Sequence, residues 1–185
     1  MVKTESLMLA LGTKAPCFAL LDPKIKKIRK LDTSNKAKGT VIMFICNHCP
    51  YVKHVSKQLT LLANDYLVQG IQFIAINSNN ISSYPEDSPE NMKQMAIAAQ
   101  YPFPYLYDET QQVARDYNAA CTPDFFVFDQ NLLLVYRGQL DDSRPGNQLP
   151  VTGKSVREAL DCILTNRPVN SNQHPSLGCS IKWKT

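Results

Sequence analysis

Two cysteines three positions apart, Cys46 and Cys49, are the residues of this chain best suited to covalent chemistry. A cysteine reacts as its thiolate, and the N-terminus of a helix stabilises negative charge through unpaired N–H groups and the helix dipole. Pro50 suits the first turn of a helix because it has no N–H to leave unpaired, and Asn47 is a favoured cap. We therefore expect Cys46 to lie exposed at a strand-to-helix junction with a lowered pKa. Cys49 would lie one turn inward and resolve a mixed disulfide.

A histidine stands between the two thiols. His48 could supply positive charge or a hydrogen bond to the Cys46 thiolate, or it could face solvent. Two thiolates and a histidine would also suit a soft copper ion, with His48, His54 or His174 as the third ligand. A structural zinc site is not expected, because the sequence has no second C-x-x-C motif. The thiol chemistry itself needs no cofactor, and none is predicted.

Length and composition favour one domain. The chain has 185 residues, of which 44% are hydrophobic, and this suffices for a single packed core. We assign residues 1–168 to that domain and 169–185 to a C-terminal tail, because Pro168 opens a run rich in Asn, Ser and Pro. The net charge is +4, and the basic cluster Lys24–Lys30 fits a solvated edge strand. No nucleic-acid partner is expected, since aromatic residues do not alternate with these lysines.

The sequence predicts a cytoplasmic protein without a membrane segment. The apolar patch Leu7–Leu11 lacks a basic flank and a cleavage site and ends at Gly12, unlike a signal peptide. Nothing approaches the ~18 consecutive apolar residues of a membrane span. Six cysteines in the cytoplasm are not expected to form a disulfide framework, because thiol buffers keep such bonds reduced. A close pair is then catalytic, redox-sensing or metal-binding.

Apolar patterns predict alternating strands and helices. Strand character is found at Val41–Ile45, Ile71–Ile76, Phe125–Phe128 and Leu132–Tyr136, and an N-terminal hairpin is expected from Phe18–Leu20 and Ile25–Leu31. Helical spacing follows Pro50 (as far as Gly70), Ser88, Thr110 and Ser155. Ser155 and Glu158 match a capping box at the start of the last helix.

This order predicts an α/β fold with a central mixed β-sheet flanked by helices. A helical crossover must join the first two strands in parallel. The tight turn at Asp129–Asn131 must make the last two strands antiparallel. The strand Val41–Ile45 thereby delivers Cys46 to the start of the helix that follows Pro50.

With these elements in place, the chain resembles the thioredoxin-like superfamily. A strand, the C-x-x-C motif and a helix extend to Gly70, and Thr122-Pro123 opens a strand about 75 residues after the pair. The closer resemblance is to the branch with the alkyl hydroperoxide reductase/thiol-specific antioxidant (AhpC/TSA) domain, especially its peroxiredoxin-like or thiol-disulfide isomerase-like proteins. The segments that carry this resemblance are LGTKAPCFALLD, YPEDSPENM, FPYLYDE, CTPDFFVFD, YRGQLDDSRPG and GCSIKW.

The resemblance implies a thioredoxin-like fold and thiol-disulfide oxidoreductase activity. It implies that the peptide bond before Pro123 is cis and that Pro123 lies against the cysteine pair. It also implies that the Thr122 backbone is available to pair with an incoming peptide strand. Cys46 would attack protein or small-molecule disulfides, and Cys49 would resolve the intermediate.

Four other cysteines have alternative roles. Cys121 is either an additional resolving thiol or a small buried residue at a strand start. Cys179 belongs to a tail that we expect to dock, because Ile181 and Trp183 are apolar. Its thiol could fold back toward the active site, where it could have a redox role, or it could pair between chains. Cys17 and Cys162 are expected to pack in the core.

The chain departs from peroxiredoxins at functional positions. A peroxiredoxin resembling it would carry Thr and Pro before its peroxidatic cysteine and Arg at the position of Thr122. Here Met43-Phe44-Ile45 precedes Cys46, and no Arg lies between Cys121 and Asp124. These differences weaken the alternative of an antioxidant thiol peroxidase, in which Cys46 would become a sulfenic acid.

The base that would deprotonate Cys49 is not evident. A typical thioredoxin has a buried acid in the preceding strand, where this chain has only apolar residues. Glu86, Asp87 and Glu90 are candidates, although each also fits an ordinary acidic residue near a helix start.

Overall fold

The structure, a computed structural model, describes residues 3–34 and 37–184. The strands are β1 (Lys3–Glu5), β2 (Ala19–Asp22), β3 (Lys27–Lys30), β4 (Gly39–Phe44), β5 (Ile71–Asn77), β6 (Tyr105–Tyr107), β7 (Cys121–Thr122), β8 (Asp124–Asp129), β9 (Leu134–Gly138) and β10 (Leu177–Ser180). The helices are α1 (Pro50–Leu67), α2 (Pro89–Ala98), α3 (Gln112–Asp116) and α4 (Lys154–Leu164), and a 3₁₀ turn spans Pro85–Asp87.

Seven strands form the central mixed sheet, in the order β3-β2-β6-β5-β4-β8-β9. β4 and β5 are parallel, whereas β8 and β9 are antiparallel, which confirms the predicted fold class. The N-terminal hairpin of β2 and β3 is also confirmed. β3 lies at one edge of the sheet with all four residues exposed, as the basic cluster predicted.

The strand β4 is buried on both faces. Val41 and Met43 pack into one core cluster, which includes the inward side chains of α1, α2 and α4. Ile42 and Phe44 pack into a second cluster on the opposite face, around Tyr117 at the end of α3. An apolar run without alternation is typical of a strand covered by helices on both sides. This placement fixes the loop that follows β4 between two packed layers.

The start of α4 differs from the prediction. The helix begins one residue before Ser155, and its N-cap is Gly153 in the left-handed conformation (φ 71°). The Gly153 N–H donates to Asp141 Oδ2 at 2.6 Å, so a distant carboxylate satisfies the helix end. The predicted capping box of Ser155 and Glu158 is therefore wrong.

The tail docks as predicted, but regular structure resumes within it. β10 pairs antiparallel with β1 on one side and with β7 on the other, which forms a second sheet of three strands. Beyond β10, the Ile181 N–H donates to the Ala120 carbonyl at 2.9 Å. The Trp183 ring packs under the Arg115 guanidinium, 4.6 Å from its centroid. Among the described residues, no helix has the length and apolar character to cross a membrane.

Candidate active site

The cysteine pair lies in the link between β4 and α1, where the sequence predicted it. Cys46 follows the last residues of the strand, and Cys49 is the N-cap of α1. Cys46 is only 1% exposed and Cys49 is fully buried, so the expected exposure of Cys46 is wrong. Asn47 is not the cap, because its side-chain amide instead donates to the Glu86 carbonyl at 2.8 Å.

The cis-proline loop contacts both thiols. The bond between Thr122 and Pro123 is cis, which confirms the implication of the resemblance. Thr122 Oγ1 lies 3.2 Å from Cys46 Sγ, and the Thr122 carbonyl oxygen lies 3.2 Å from Cys49 Sγ. One residue of β7 therefore contacts the two sulfurs with different groups.

A third sulfur completes this cluster. Cys179 Sγ lies 2.7 Å from Cys49 Sγ, and Cys179 is 3% exposed. The side chains of Cys46 and Cys49 also interact, and this interaction raises the pKa of Cys46 and lowers that of Cys49. Cys49 thus stands between two other sulfurs, in a site closed to solvent.

Burial and hydrogen bonds shift the pKa values of Cys46 and Cys49 in opposite directions. Burial raises the pKa of Cys46 well above its usual range, and the hydrogen bond to Cys49 adds to the rise. Accepting that hydrogen bond lowers the pKa of Cys49 to about 5, with further hydrogen bonds from the Cys179 side chain and the Val52 backbone. The predicted lowering of the pKa at Cys46 is therefore wrong for the reduced pair. Of the two thiols, Cys49 at the N-terminus of α1 is therefore the one that ionises more easily.

His48 is held by a buried carboxylate. Its Nδ1 lies 2.6 Å from Asp87 Oδ2, and its ring stacks on Tyr84 with centroids 4.6 Å apart. Asp87 is fully buried and also accepts from the Asn47 N–H at 2.6 Å and from Asn79 Nδ2 at 2.8 Å. His48 Nε2 is buried with no hydrogen-bond partner among the described residues. The imidazole therefore has one nitrogen fixed and one available.

The three acidic candidates separate by burial. Glu86 and Glu90 are exposed, as ordinary acidic residues near a helix start would be. Asp87 turns inward instead and contacts the backbone and side chain within the C-x-x-C loop. Among the described residues, no hydrogen bond joins Asp87 to Cys49, but the charge of Asp87 contributes to raising the pKa of Cys46.

The edge of β7 is not open to an incoming strand. Cys179 of β10 is the register partner of Thr122, and Ser180 is the partner of Cys121. The implied availability of the Thr122 backbone is therefore wrong for this conformation, because the tail of the chain already pairs with it. The predicted peptide-binding edge carries an internal strand.

The other cysteines differ from one another. Cys121 is fully buried and its Sγ lies 3.8 Å from the Pro123 carbonyl and 4.0 Å from that of Ser176, and its role as a resolving thiol stays a prediction. Cys162 is half-buried on α4, and Cys17 is exposed, so the expected core position of Cys17 is wrong.

The sequence analysis overlooked Asp124, which directly follows the cis-proline. It is fully buried; its Oδ1 accepts from the Phe125 N–H at 3.1 Å, and Oδ2 has no hydrogen-bond partner among the described residues. Burial raises the pKa of Asp124 well above its usual range. Asp124 in turn contributes to the raised pKa of Cys121. An acidic residue opening the apolar run from Phe125 to Phe128 was the signal available in the sequence.

One set of side chains in the described residues could hold a metal ion. Ligand atoms of Cys46, His48 and Asp87 all lie within 4.8 Å of one another. The copper site predicted from the sequence used both thiolates, and its other histidines lie elsewhere. His54 Nε2 is hydrogen-bonded to Ser143 Oγ at 2.8 Å, and His174 is exposed.

Two solved structures resemble the whole chain. An uncharacterized conserved protein from Geobacillus kaustophilus is 60% identical, with a TM-score of 0.97 over 100% of this chain and 97% of that chain. A hypothetical protein from Sinorhizobium meliloti 1021 is 42% identical, with a TM-score of 0.96 over 98% of this chain and 99% of that chain. No curated protein matches the chain.

A more distant structure shares the fold. The thioredoxin domain of a thiol-disulfide oxidoreductase from Bacteroides vulgatus is 16% identical, with a TM-score of 0.62 over 82% of this chain and 99% of that chain. The model of the AhpC/TSA family matches residues 11–137, which include the C-x-x-C motif, the His48–Asp87 pair and the cis-proline loop. The chain belongs to the AhpC/TSA family and has the thioredoxin-like fold that its sequence indicated.

Proposed function

We propose that this protein is a thiol-disulfide oxidoreductase that uses Cys46 as nucleophile and Cys49 as resolving thiol. The supporting observation is that both sulfurs, at the start of α1, contact Thr122 of the cis-proline loop. With the pKa of Cys49 at about 5, the reduced pair carries a negative charge at neutral pH. A thiolate is the form that reacts with a disulfide.

The reaction proceeds in two exchanges. In the first, the Cys46 proton passes to the neighbouring Cys49, and the Cys46 thiolate attacks one sulfur of the substrate disulfide. A Cys46–substrate bond forms, and the other substrate half leaves as a thiolate. In the second, Cys49 attacks Cys46 Sγ, and its proton goes to the departing substrate thiolate. The products are one substrate thiol, one substrate thiolate that takes its proton from solvent, and a Cys46–Cys49 disulfide, so the substrate is reduced and the pair is oxidised.

His48 is a positioning and tuning residue in this proposal. The Asp87 carboxylate fixes its ring, and Nε2 is left as a group that can take or give a proton inside the site. A protonated imidazole near Cys46 would stabilise the attacking thiolate. The steric closure of the site means that a protein substrate must displace β10, whereas a small disulfide needs only local opening. The expected location of the reaction is the cytoplasm, as the sequence predicts.

A redox titration combined with trapping tests the proposal. The wild-type protein, equilibrated in glutathione buffers of graded potential, should form a reversible bond between Cys46 and Cys49, detected by alkylation and mass spectrometry. Cys49→Ser should accumulate a mixed disulfide on Cys46 with a small disulfide substrate. Cys17→Ser, which changes an exposed cysteine, is the matched control and should behave as wild type. Absence of both the reversible bond and the trapped intermediate would reject the proposal.

A metal-binding role is the second candidate, supported by the cluster of Cys46, His48 and Asp87. Thiolate and imidazole ligands suit copper or zinc. Elemental analysis of the purified protein tests it, and Asp87→Asn should then lower the metal content. A protein that is metal-free yet active in disulfide exchange would exclude this role.

An antioxidant peroxidase, with Cys46 as peroxidatic thiol, is the remaining alternative from the sequence. Stopped-flow measurement of peroxide consumption tests it. We expect a rate no greater than that of a free thiol, because the segment Met43-Phe44-Ile45 before Cys46 lacks the Thr and Pro that a peroxidase resembling this chain would carry there.

A further inference from the structure

The last strand of the fold brings a third thiol into the reactive pair. Cys179 Sγ lies 2.7 Å from Cys49 Sγ, so an approach of roughly 0.7 Å would reach the bonding distance of about 2.05 Å in a disulfide. Both residues are buried, so thiols and disulfides dissolved in the solvent have little access to them. The contact is with the resolving thiol and not with the proposed nucleophile.

Backbone pairing on both sides fixes the position of this sulfur. Cys179 is paired with Lys3 of β1 and with Thr122 of β7. Just before β10, Ser176 Oγ donates to the Pro123 carbonyl at 2.5 Å. Gly178 lies so close to β7 that an added Cβ would meet the Thr122 carbonyl oxygen at 2.0 Å. The strand is therefore packed directly on the cis-proline loop, and the Cys49–Cys179 contact is part of the sheet geometry.

We propose that Cys179 is a second resolving thiol, which takes the disulfide from Cys46 and leaves it on Cys49 and Cys179. This inference rests on the proposed function, because the Cys46–Cys49 disulfide is its starting point. The Cys179 sulfur attacks Cys49 Sγ, the Cys49–Cys179 bond forms, and the Cys46–Cys49 bond breaks. The proton of Cys179 passes to the Cys46 thiolate that leaves. No further oxidant is needed, since one disulfide is exchanged for another.

The direction of the transfer follows from which sulfurs touch. An attack on Cys49 expels Cys46, so the nucleophile returns to its reduced form while the protein stays oxidised. In the reduced protein the pKa of Cys179 is raised to about 12, first by burial and then by its hydrogen bond and proximity to Cys49. The last two effects disappear once Cys49 is in a disulfide, and nearby Lys182 favours the Cys179 thiolate.

Cys121 is the competing third thiol, and its geometry is less suitable. Its Sγ lies against the carbonyl oxygens of Pro123 and Ser176, and burial together with the charge of Asp124 raises its pKa. Burial and the nearby Asp124 carboxylate both disfavour a thiolate at Cys121. The decisive measurement is therefore which of the two cysteines, Cys121 or Cys179, forms a disulfide with Cys49.

The experiment uses the double variant Cys46→Ser/Cys162→Ser, oxidised with diamide and digested with trypsin without reduction. Cleavage gives the peptide 39–53, in which Cys49 is then the one cysteine, and the peptide 158–182, because the Arg167-Pro168 bond resists trypsin. Cys179 is the one cysteine left in 158–182, and Cys121 lies in the separate peptide 116–137. We expect 39–53 cross-linked to 158–182. A cross-link to 116–137, or none, would overturn the proposal.

A second measurement follows the transfer in proteins that retain Cys46. Wild type and Cys179→Ser are treated with one equivalent of a small disulfide, quenched in acid, unfolded and alkylated. The wild type should yield several-fold more alkylated Cys46, because its disulfide has moved to Cys49 and Cys179. Cys17→Ser is the control and should match wild type. Equal recovery of a Cys46–Cys49 disulfide in both proteins would refute the relay and leave the proposed function standing, whereas no such disulfide in either would refute the function itself.

Discussion

The hydroxyl of Thr122 should control the reactivity of Cys46. Thr122 Oγ1 lies 3.2 Å from Cys46 Sγ and acts to lower a pKa that burial raises. Thr122→Val removes this hydrogen bond and keeps the shape of the side chain. The change is best made in a Cys49→Ser background, where Cys46 titrates without a coupled partner. We expect the pKa of Cys46 to rise.

The size of the effect follows from the energy of one charge-assisted hydrogen bond. Such a bond contributes about 1.5–3 kcal/mol when one partner is charged. Since 1.4 kcal/mol corresponds to about a factor of ten, the thiolate fraction of Cys46 at a pH below its pKa should fall about 10- to 100-fold. The rate of alkylation should fall by the same factor, because the thiolate is the reacting form.

Alkylation with iodoacetamide, followed over a range of pH and localised to Cys46 by mass spectrometry, measures this rate. Thr122→Ser retains the hydroxyl and is the matched control, which should stay close to the parent. If Thr122→Val and Thr122→Ser label Cys46 equally fast at every pH, the hydroxyl does not tune the thiol and the reasoning fails.

Three other changes test parts of the structure. Gly178→Ala should destabilise the protein by about 1–3 kcal/mol in urea unfolding and weaken the Cys49–Cys179 cross-link, because the new methyl overlaps the Thr122 carbonyl; an unchanged midpoint would contradict the packing of β10. Asp87→Asn should lower the free energy of unfolding by about 1.5–3 kcal/mol, because it weakens the buried hydrogen bonds of Asp87. The exposed control Glu86→Gln should change that free energy by no more than about 0.5 kcal/mol. Equal urea midpoints for the two variants would count against the role of Asp87. Burial raises the pKa of Asp124 in the folded protein. Its contribution to stability is therefore fully present below the pKa of about 3.9 that it has in the unfolded chain, and is lost as the pH rises through the pKa that it has in the folded protein. Asp124→Asn should therefore be more stable than wild type at neutral pH and lose less stability between acid and neutral pH; parallel urea midpoints across that range would show that Asp124 is not buried as a titrating acid.

The framework of the site was predictable because its signals are local. The apolar run Val41–Ile45, followed by Pro50 and helical spacing, was enough to place the thiols between a strand and a helix. The cis bond before Pro123 came from the family resemblance, since composition and spacing alone do not predict it.

The features that the sequence analysis missed depend on distant contacts. Glu86, Asp87 and Glu90 look alike in the sequence, and only the packing of their segment against the C-x-x-C loop buries Asp87. Burial also reverses the expectation of which thiol ionises more easily, because desolvation raises the pKa of Cys46 well above its usual range. The partner of Thr122 is a four-residue strand far along the chain, and a strand of that length carries too little periodicity to be recognised.

The order of the strands along the chain has a consequence for biosynthesis. β10 leaves the ribosome 57 positions after Thr122, which at about 5–20 residues per second takes roughly 3–11 s. Until then a nascent chain presents an unpaired strand edge beside Cys46 and Cys49. Newly made molecules should therefore pass through a short period in which encounters with other polypeptides and their cysteines are easiest. The pairing of β10 with β7 then closes this edge.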